Sequence, residues 1–143
     1  MKSLAHCVGR GLTFLTIAAL VVGFWAVNVT YPAAAQAQET KYEGYLADAL
    51  CAGRGTALDG ADMKKHPEKH SVACLKEPPC VASGFGVLTK GKDDNYTFHK
   101  FDKKGDELAL ELIKKTKKTD HLSVDVAGRL ENGVLNVQSI TEK

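Results

Sequence analysis

Leu122-Ser123-Val124-Asp125-Val126-Ala127-Gly128-Arg129-Leu130-Glu131-Asn132-Gly133-Val134-Leu135-Asn136-Val137-Gln138-Ser139-Ile140 is the most regular stretch of the chain, and it decides how the rest is read. Leu122, Val124, Val126, Gly128 and Leu130 alternate with Ser123, Asp125, Ala127 and Arg129. An extended backbone turns successive side chains to opposite faces, so a period of two predicts a strand with one face buried. Asn132-Gly133 suits the positive φ that a type I′ turn requires at both central positions, and residues 134–140 then make the return strand of a hairpin.

Upstream of this hairpin the period changes. Gly105 and Asp106 open a helix in which Leu108, Ala109, Leu112, Ile113 and Thr116 share one face at about 100° per residue. Lys114, Lys115, Lys117 and Lys118 occupy the other face or the last turn, where positive charge complements the helix dipole. Further back, residues 85–89 and 96–101 read as two strands joined by the turn set Lys90-Gly91-Lys92-Asp93-Asp94-Asn95. Residues 42–50 read as a first strand, with Gly44 marking a bend or a close backbone approach, ending at Cys51. The order is strand, insertion, strand, strand, helix, strand, strand. This predicts a mainly β fold with one or two helices, a five-stranded Greek-key barrel of the OB type, which places its helix between the third and fourth strands. An open α+β sheet is the alternative reading.

The insertion spans residues 51–83. Gly53, Gly55, Asp59, Gly60 and Asp62 mark its first part as loop. Pro67 suits a first helical position, and the helix it opens ends by Glu77 because Pro78 and Pro79 follow.

The first 37 residues have a different chemistry. Lys2 and Arg10 precede an apolar run over residues 12–29, and Ala35 and Ala37 form an A-x-A site, so residues 1–37 read as a signal peptide with the mature chain starting at Gln38. Association with a membrane is expected only if that segment stays uncleaved. Cys7 lies before the apolar run, the wrong side for a lipid-attachment cysteine. The signal segment holds two of the 19 basic and none of the 17 acidic residues, which leaves 17 of each beyond it. A formally neutral domain gives no reason to expect nucleic acid as a partner. The expected compartment is periplasmic or extracellular, and residues 38–143 are long enough for one domain.

Chemistry is concentrated in the insertion. Cys51, Cys74 and Cys80 are the three cysteines beyond residue 37, and His66 and His70 fall between the first two. An oxidising compartment favours one disulfide among the three with one thiol left over. A metal site is the sharper alternative. His66, His70 and Cys74 are spaced by four, so a helix over residues 67–77 sets His70 and Cys74 on one face. Three cysteines and a histidine make an accepted zinc set, and thiolates also suit copper(I). Thiol-redox catalysis is the least favoured reading, since it wants a C-x-x-C pair that the chain lacks. Asp48, three residues before Cys51, suits capping of the following backbone amides. Tyr42, Tyr45, Tyr96 and Phe98 are expected to pack rather than to stack on a ligand, His99 to sit at a core edge and His121 at the surface.

Taken together, Gly44-Tyr45-Leu46-Ala47-Asp48-Ala49-Leu50-Cys51, Cys74, Cys80-Val81-Ala82-Ser83-Gly84 and Val124-Asp125-Val126-Ala127-Gly128 resemble a group of small exported bacterial proteins. That group has a G-x-x-x-D-x-x-C start, a cysteine pair before the second strand and a closing V-x-V-x-G strand. The resemblance implies an OB-like barrel and export, and supplies no activity. In that group the second and third cysteines are commonly three residues apart, whereas here Leu75-Lys76-Glu77-Pro78-Pro79 separates them. The expected function is an exported, non-catalytic binding or interaction module whose Cys/His insertion is disulfide-stapled or metal-loaded, with a small ligand or an envelope protein as partner.

Overall fold

Nine residues, Thr40–Asp48, form strand β1 in a computed structural model, which describes residues 39–143. The expected signal peptide lies outside the described residues. Strands β2 (Phe85–Lys90), β3 (Tyr96–Phe101), β4 (Ser123–Glu131) and β5 (Val134–Glu142) follow, with four α-helices among them: α1 (Ala49–Arg54), α2 (Val72–Leu75), α3 (Pro78–Ser83) and α4 (Lys103–Lys115). The expected order of elements holds, and the fold is mainly β.

The five strands form one mixed sheet whose hydrogen bonds close into a ring in the order β1-β2-β3-β5-β4. All neighbours are antiparallel except β3 and β5, whose short parallel pairing at Lys100↔Val134 and Phe101↔Leu135 closes the ring. β1 serves both of its neighbours by bending, its first part pairing with β4 and its second with β2. Gly44 lies where the two pairings overlap. A Cβ there would stand 2.1 Å from the Leu88 carbonyl oxygen, so the crossing is open to glycine alone.

The β4–β5 hairpin turns at Asn132 (φ 52°) and Gly133 (φ 80°), as a type I′ turn requires. Leu122, Val124, Val126 and Gly128 face inward. Leu130, expected on the same buried face, is 43% exposed, at the end of the hairpin two residues before the turn. β1 ends at Asp48 rather than Cys51, because Asp48 caps α1 and turns the chain into a helix. α4 starts at Lys103, two residues before the expected Gly105, because Asp102 caps it: its Oδ1 accepts the Gly105 N–H at 3.0 Å and the Val137 N–H at 3.1 Å, which ties the helix to β5. Gly105, Ala109 and Ile113 of α4 are buried, and Lys115 and Lys118 pair with Glu111 and Glu142 at the surface.

Two hydrophobic clusters lie side by side. The larger fills the ring with Leu46, Phe85, Val87, Phe101, Val124, Val126, Leu135 and Val137, joined by Ala109 and Ile113 of α4. The smaller lies under the insertion and is built of Ala47, Cys51, Ala57, Ala61, Met63, Cys74, Cys80 and Leu88. Tyr42 packs against the first cluster, and Tyr96 and Phe98 against the second, as expected. Among the described residues no helix is long and apolar enough to cross a membrane.

Candidate metal centre

Residues 49–84 leave the sheet after β1 and rejoin it at β2, and their two ends are stitched together. The Ala49 N–H donates to the Gly84 carbonyl at 2.8 Å and the Leu50 N–H to Ser83 Oγ at 3.0 Å. This sets α1 beside α3 and brings Cys51 of the first against Cys80 of the second, with Sγ atoms 3.9 Å apart. Pro78 and Pro79 occupy the first positions of α3, where their fixed φ suits a helix start, so they aim Cys80 inward instead of breaking the chain away.

The single helix expected over residues 67–77 is divided. A 3₁₀ turn at Pro67–Lys69 is followed by extended backbone at His70 (φ −67°, ψ 122°), and only then does α2 begin. Ser71 is the reason: its Oγ accepts the Cys74 N–H at 3.1 Å, a capping bond that starts a new helix at residue 72. Asp59, from the glycine-rich loop, accepts from the Ser71 N–H at 2.7 Å and the Ser71 hydroxyl at 2.8 Å and holds the break in place. His70 and Cys74 are therefore brought together by a cap rather than by a shared helix face.

Three thiols and one imidazole converge. The Sγ atoms of Cys51, Cys74 and Cys80 lie within 4.8 Å of one another, and His70 offers a ring nitrogen within that distance of Cys51 Sγ in a set with Asp48 and within it of Cys74 Sγ in a second set with Asp59. All four residues are buried. Two thiolates held about 2.3 Å from a tetrahedral zinc stand about 3.8 Å apart, so the 3.9 Å between Cys51 and Cys80 suits two ligands of one ion. The expected disulfide is absent: all three thiols are free, and 3.9 Å is nearly twice the ~2.05 Å of an S–S bond. Cys74 occupies the same centre, so three sulfurs share one space and none forms an isolated pair.

His70 is clamped from both sides. Its Nε2 lies 3.2 Å from Asp48 Oδ2 and its Nδ1 3.2 Å from Asp59 Oδ2. Asp48 also accepts the Cys51 N–H at 2.9 Å through Oδ1, so one carboxylate both caps α1 and positions the ring. Burial pushes the Asp48 carboxyl up, but hydrogen bonds from His70 and from the Cys51 N–H outweigh it and hold it below the usual carboxylate range. Asp59 is lowered in the same manner, its burial outweighed chiefly by the Ser71 donors. Burial pushes the Cys51 thiol up to about 12, an effect partly offset by the Leu58 backbone N–H and reinforced by Asp48. Cys80 is pushed up too, first by burial and then by Asp48 and Cys51. A cation among these sulfurs reverses that preference, because binding draws the protons off the thiols.

His66 stands apart from this cluster, with its side chain largely exposed and its Nδ1 3.0 Å from Glu68. His121 is exposed beside Asp120. His99 bonds Thr89 through Nε2 at 3.0 Å and packs against the Tyr42 ring. Asp59 is the member of this cluster that the sequence names only as a loop marker. It sits twelve positions before Ser71 in a stretch read only as loop, and no local signal ties it to His70.

The chain has no match among protein-family models, curated proteins or solved structures.

Proposed function

We propose that this chain is an exported metal-binding module on an OB-type barrel, with Cys51, Cys74, Cys80 and His70 as ligands of one zinc or copper(I) ion. The convergence of three buried thiols with an imidazole carries the reading, because thiolate-rich sets of this kind select zinc and copper(I) over hard cations. Asp48 and Asp59 supply the carboxylates that commonly orient a ligating histidine, and one of them yields its ring nitrogen when the ion binds. The ring order, with α4 between the third and fourth strands, supports the OB topology.

Cys51, His70 and Asp48 also have the residue types of a thiol hydrolase, but a nucleophilic cysteine needs access and a lowered pKa. Cys51 is fully buried and its thiol is pushed up to about 12, which favours a non-catalytic role. Export rests on the basic and apolar pattern of residues 1–37. A small chelate or an envelope protein is the expected donor or acceptor of the ion.

The test uses the chain recovered from the cell envelope. N-terminal sequencing is expected to start at Gln38 or Gln36, and intact Met1 in a membrane pellet would overturn export. Denaturing that chain with a chelator is expected to release one metal ion and expose three thiols. One free thiol and no metal would overturn the metal reading, since that is the count a disulfide leaves.

A further inference from the structure

The three sulfurs are not equally placed. Cys51 and Cys80 are fully enclosed, whereas Cys74 lines a surface hollow of about 430 Å³ together with Leu58, Asp59, Ser71, Ala73 and Glu77. The hollow opens to solvent and is wide enough to admit a hydrated cation or a small chelating ligand. Asp59 and Glu77 place two carboxylates on its wall, and a hollow lined by one sign of charge concentrates ions of the other. Leu58, 47% exposed, is one of only two large hydrophobic side chains so exposed among the described residues, and it stands on this wall.

We infer that the metal ion enters and leaves through this hollow, with Cys74 as the exchange ligand and Cys51, Cys80 and His70 as the inner ligands that hold the ion during transfer. The inference rests on the metal-binding reading and goes beyond it, because it makes the site one that passes its ion on to a small thiol or imidazole ligand. In the exchange step the incoming ligand would bond to the ion as the bond to Cys74 Sγ breaks; an incoming thiol would give its proton to the released Cys74 thiolate, and with a neutral imidazole that proton would come from water in the hollow. No change of oxidation state is involved. Asp59 is the positioning group of the port: it holds Ser71, whose hydroxyl caps the helix bearing Cys74.

The experiment follows zinc release from the zinc-loaded full chain to an excess of a chromophoric chelator. Leu58→Trp, which fills the mouth, is expected to leave the stoichiometry at one zinc and to slow release by about tenfold. Leu130→Trp, at the other exposed leucine on the distant hairpin, is expected to change neither. Glu77→Lys is expected to slow zinc uptake and to flatten its dependence on salt, and it provides an independent reading should Leu58→Trp fail to fold. One bound zinc with release and uptake unchanged by Leu58→Trp and Glu77→Lys would overturn the port and leave the metal site standing. A native chain that binds no zinc or copper would overturn the site itself.

Discussion

The β ring and the insertion at residues 49–84 hold their interiors by different means. The ring is filled by large apolar side chains, among them Phe85, Phe101, Leu46 and Leu135, whose burial contributes about 25 cal/mol for each Å² removed from water. The insertion buries Ala57, Ala61, Met63 and three cysteines in the smaller cluster and sends only Val72 and Leu75 into the larger one, and its helices are four to six residues long, too short to persist unaided. Its order comes from polar clamps: Asp48 on Cys51 and His70, Asp59 on His70 and Ser71, Ser83 on Leu50. On the proposed function, an ion bound by the three sulfurs would add a further cohesive element to this region.

The sharpest way to test this contrast is to damage each half separately. Phe101→Ala opens a cavity at the centre of the ring and is expected to lower stability by about 3–5 kcal/mol, to the same extent with metal present or removed. Chemical denaturation in both conditions checks it, and a metal-dependent loss would mean that the two interiors are not distinct. Removing the ion with a chelator is expected to cost about 2.7 kcal/mol at a metal concentration a hundred times Kd. Hydrogen exchange should locate that loss in residues 49–84 while β4 and β5 stay protected. Uniform deprotection across the ring would break the comparison.

Asp48→Asn retains a capping side chain for α1 but removes the charge that faces His70. It is expected to cost about 2 kcal/mol, the worth of a hydrogen bond to a charged group, and to weaken zinc binding about 10- to 100-fold. Unchanged zinc affinity by competition titration would remove Asp48 from the centre's support. Gly133→Val is the counterpart in the ring. With φ at 80°, a β-branched residue there is expected to cost about 1 kcal/mol or more while leaving zinc affinity untouched. An unchanged melting midpoint would argue against the turn geometry.

The smallest expected effect is a pH dependence within the ring. Burial beside Tyr42 and Thr89 holds His99 below its ordinary value of 6.5, so the unfolded chain takes up a proton there before the folded chain does. His99 therefore contributes stability that is present above pH 6.5 and is lost as pH falls through the lowered folded value. His99→Gln is expected to flatten the stability profile in that window, and an unaltered slope below pH 6.5 would show that another group titrates.

Most of the ring was legible in the sequence because its signals are local. Alternation from Leu122 to Leu130 and the Asn132-Gly133 turn define the hairpin within twenty residues, and the face of Ala109 and Ile113 defines α4. Gly44 announced a close approach that the crossing of β1 with β2 and β4 requires. The residue types of the centre were legible too: Cys51, His70, Cys74 and Cys80 stood out by chemistry alone. Their arrangement was not. Whether Cys51 and Cys80 form a bond or share an ion depends on how α1 and α3 are stitched through Leu50 and Ser83, a contact spanning 33 positions. His70 enters and His66 stays out because Asp59 breaks the expected helix at Ser71, again through a distant side chain. Periodicity and turn chemistry are properties of neighbouring residues and can be read in order along the chain. The meeting of three sulfurs and a ring clamped by two carboxylates is a property of the closed fold, in which loops of otherwise ordinary composition are held by bonds that no local pattern encodes.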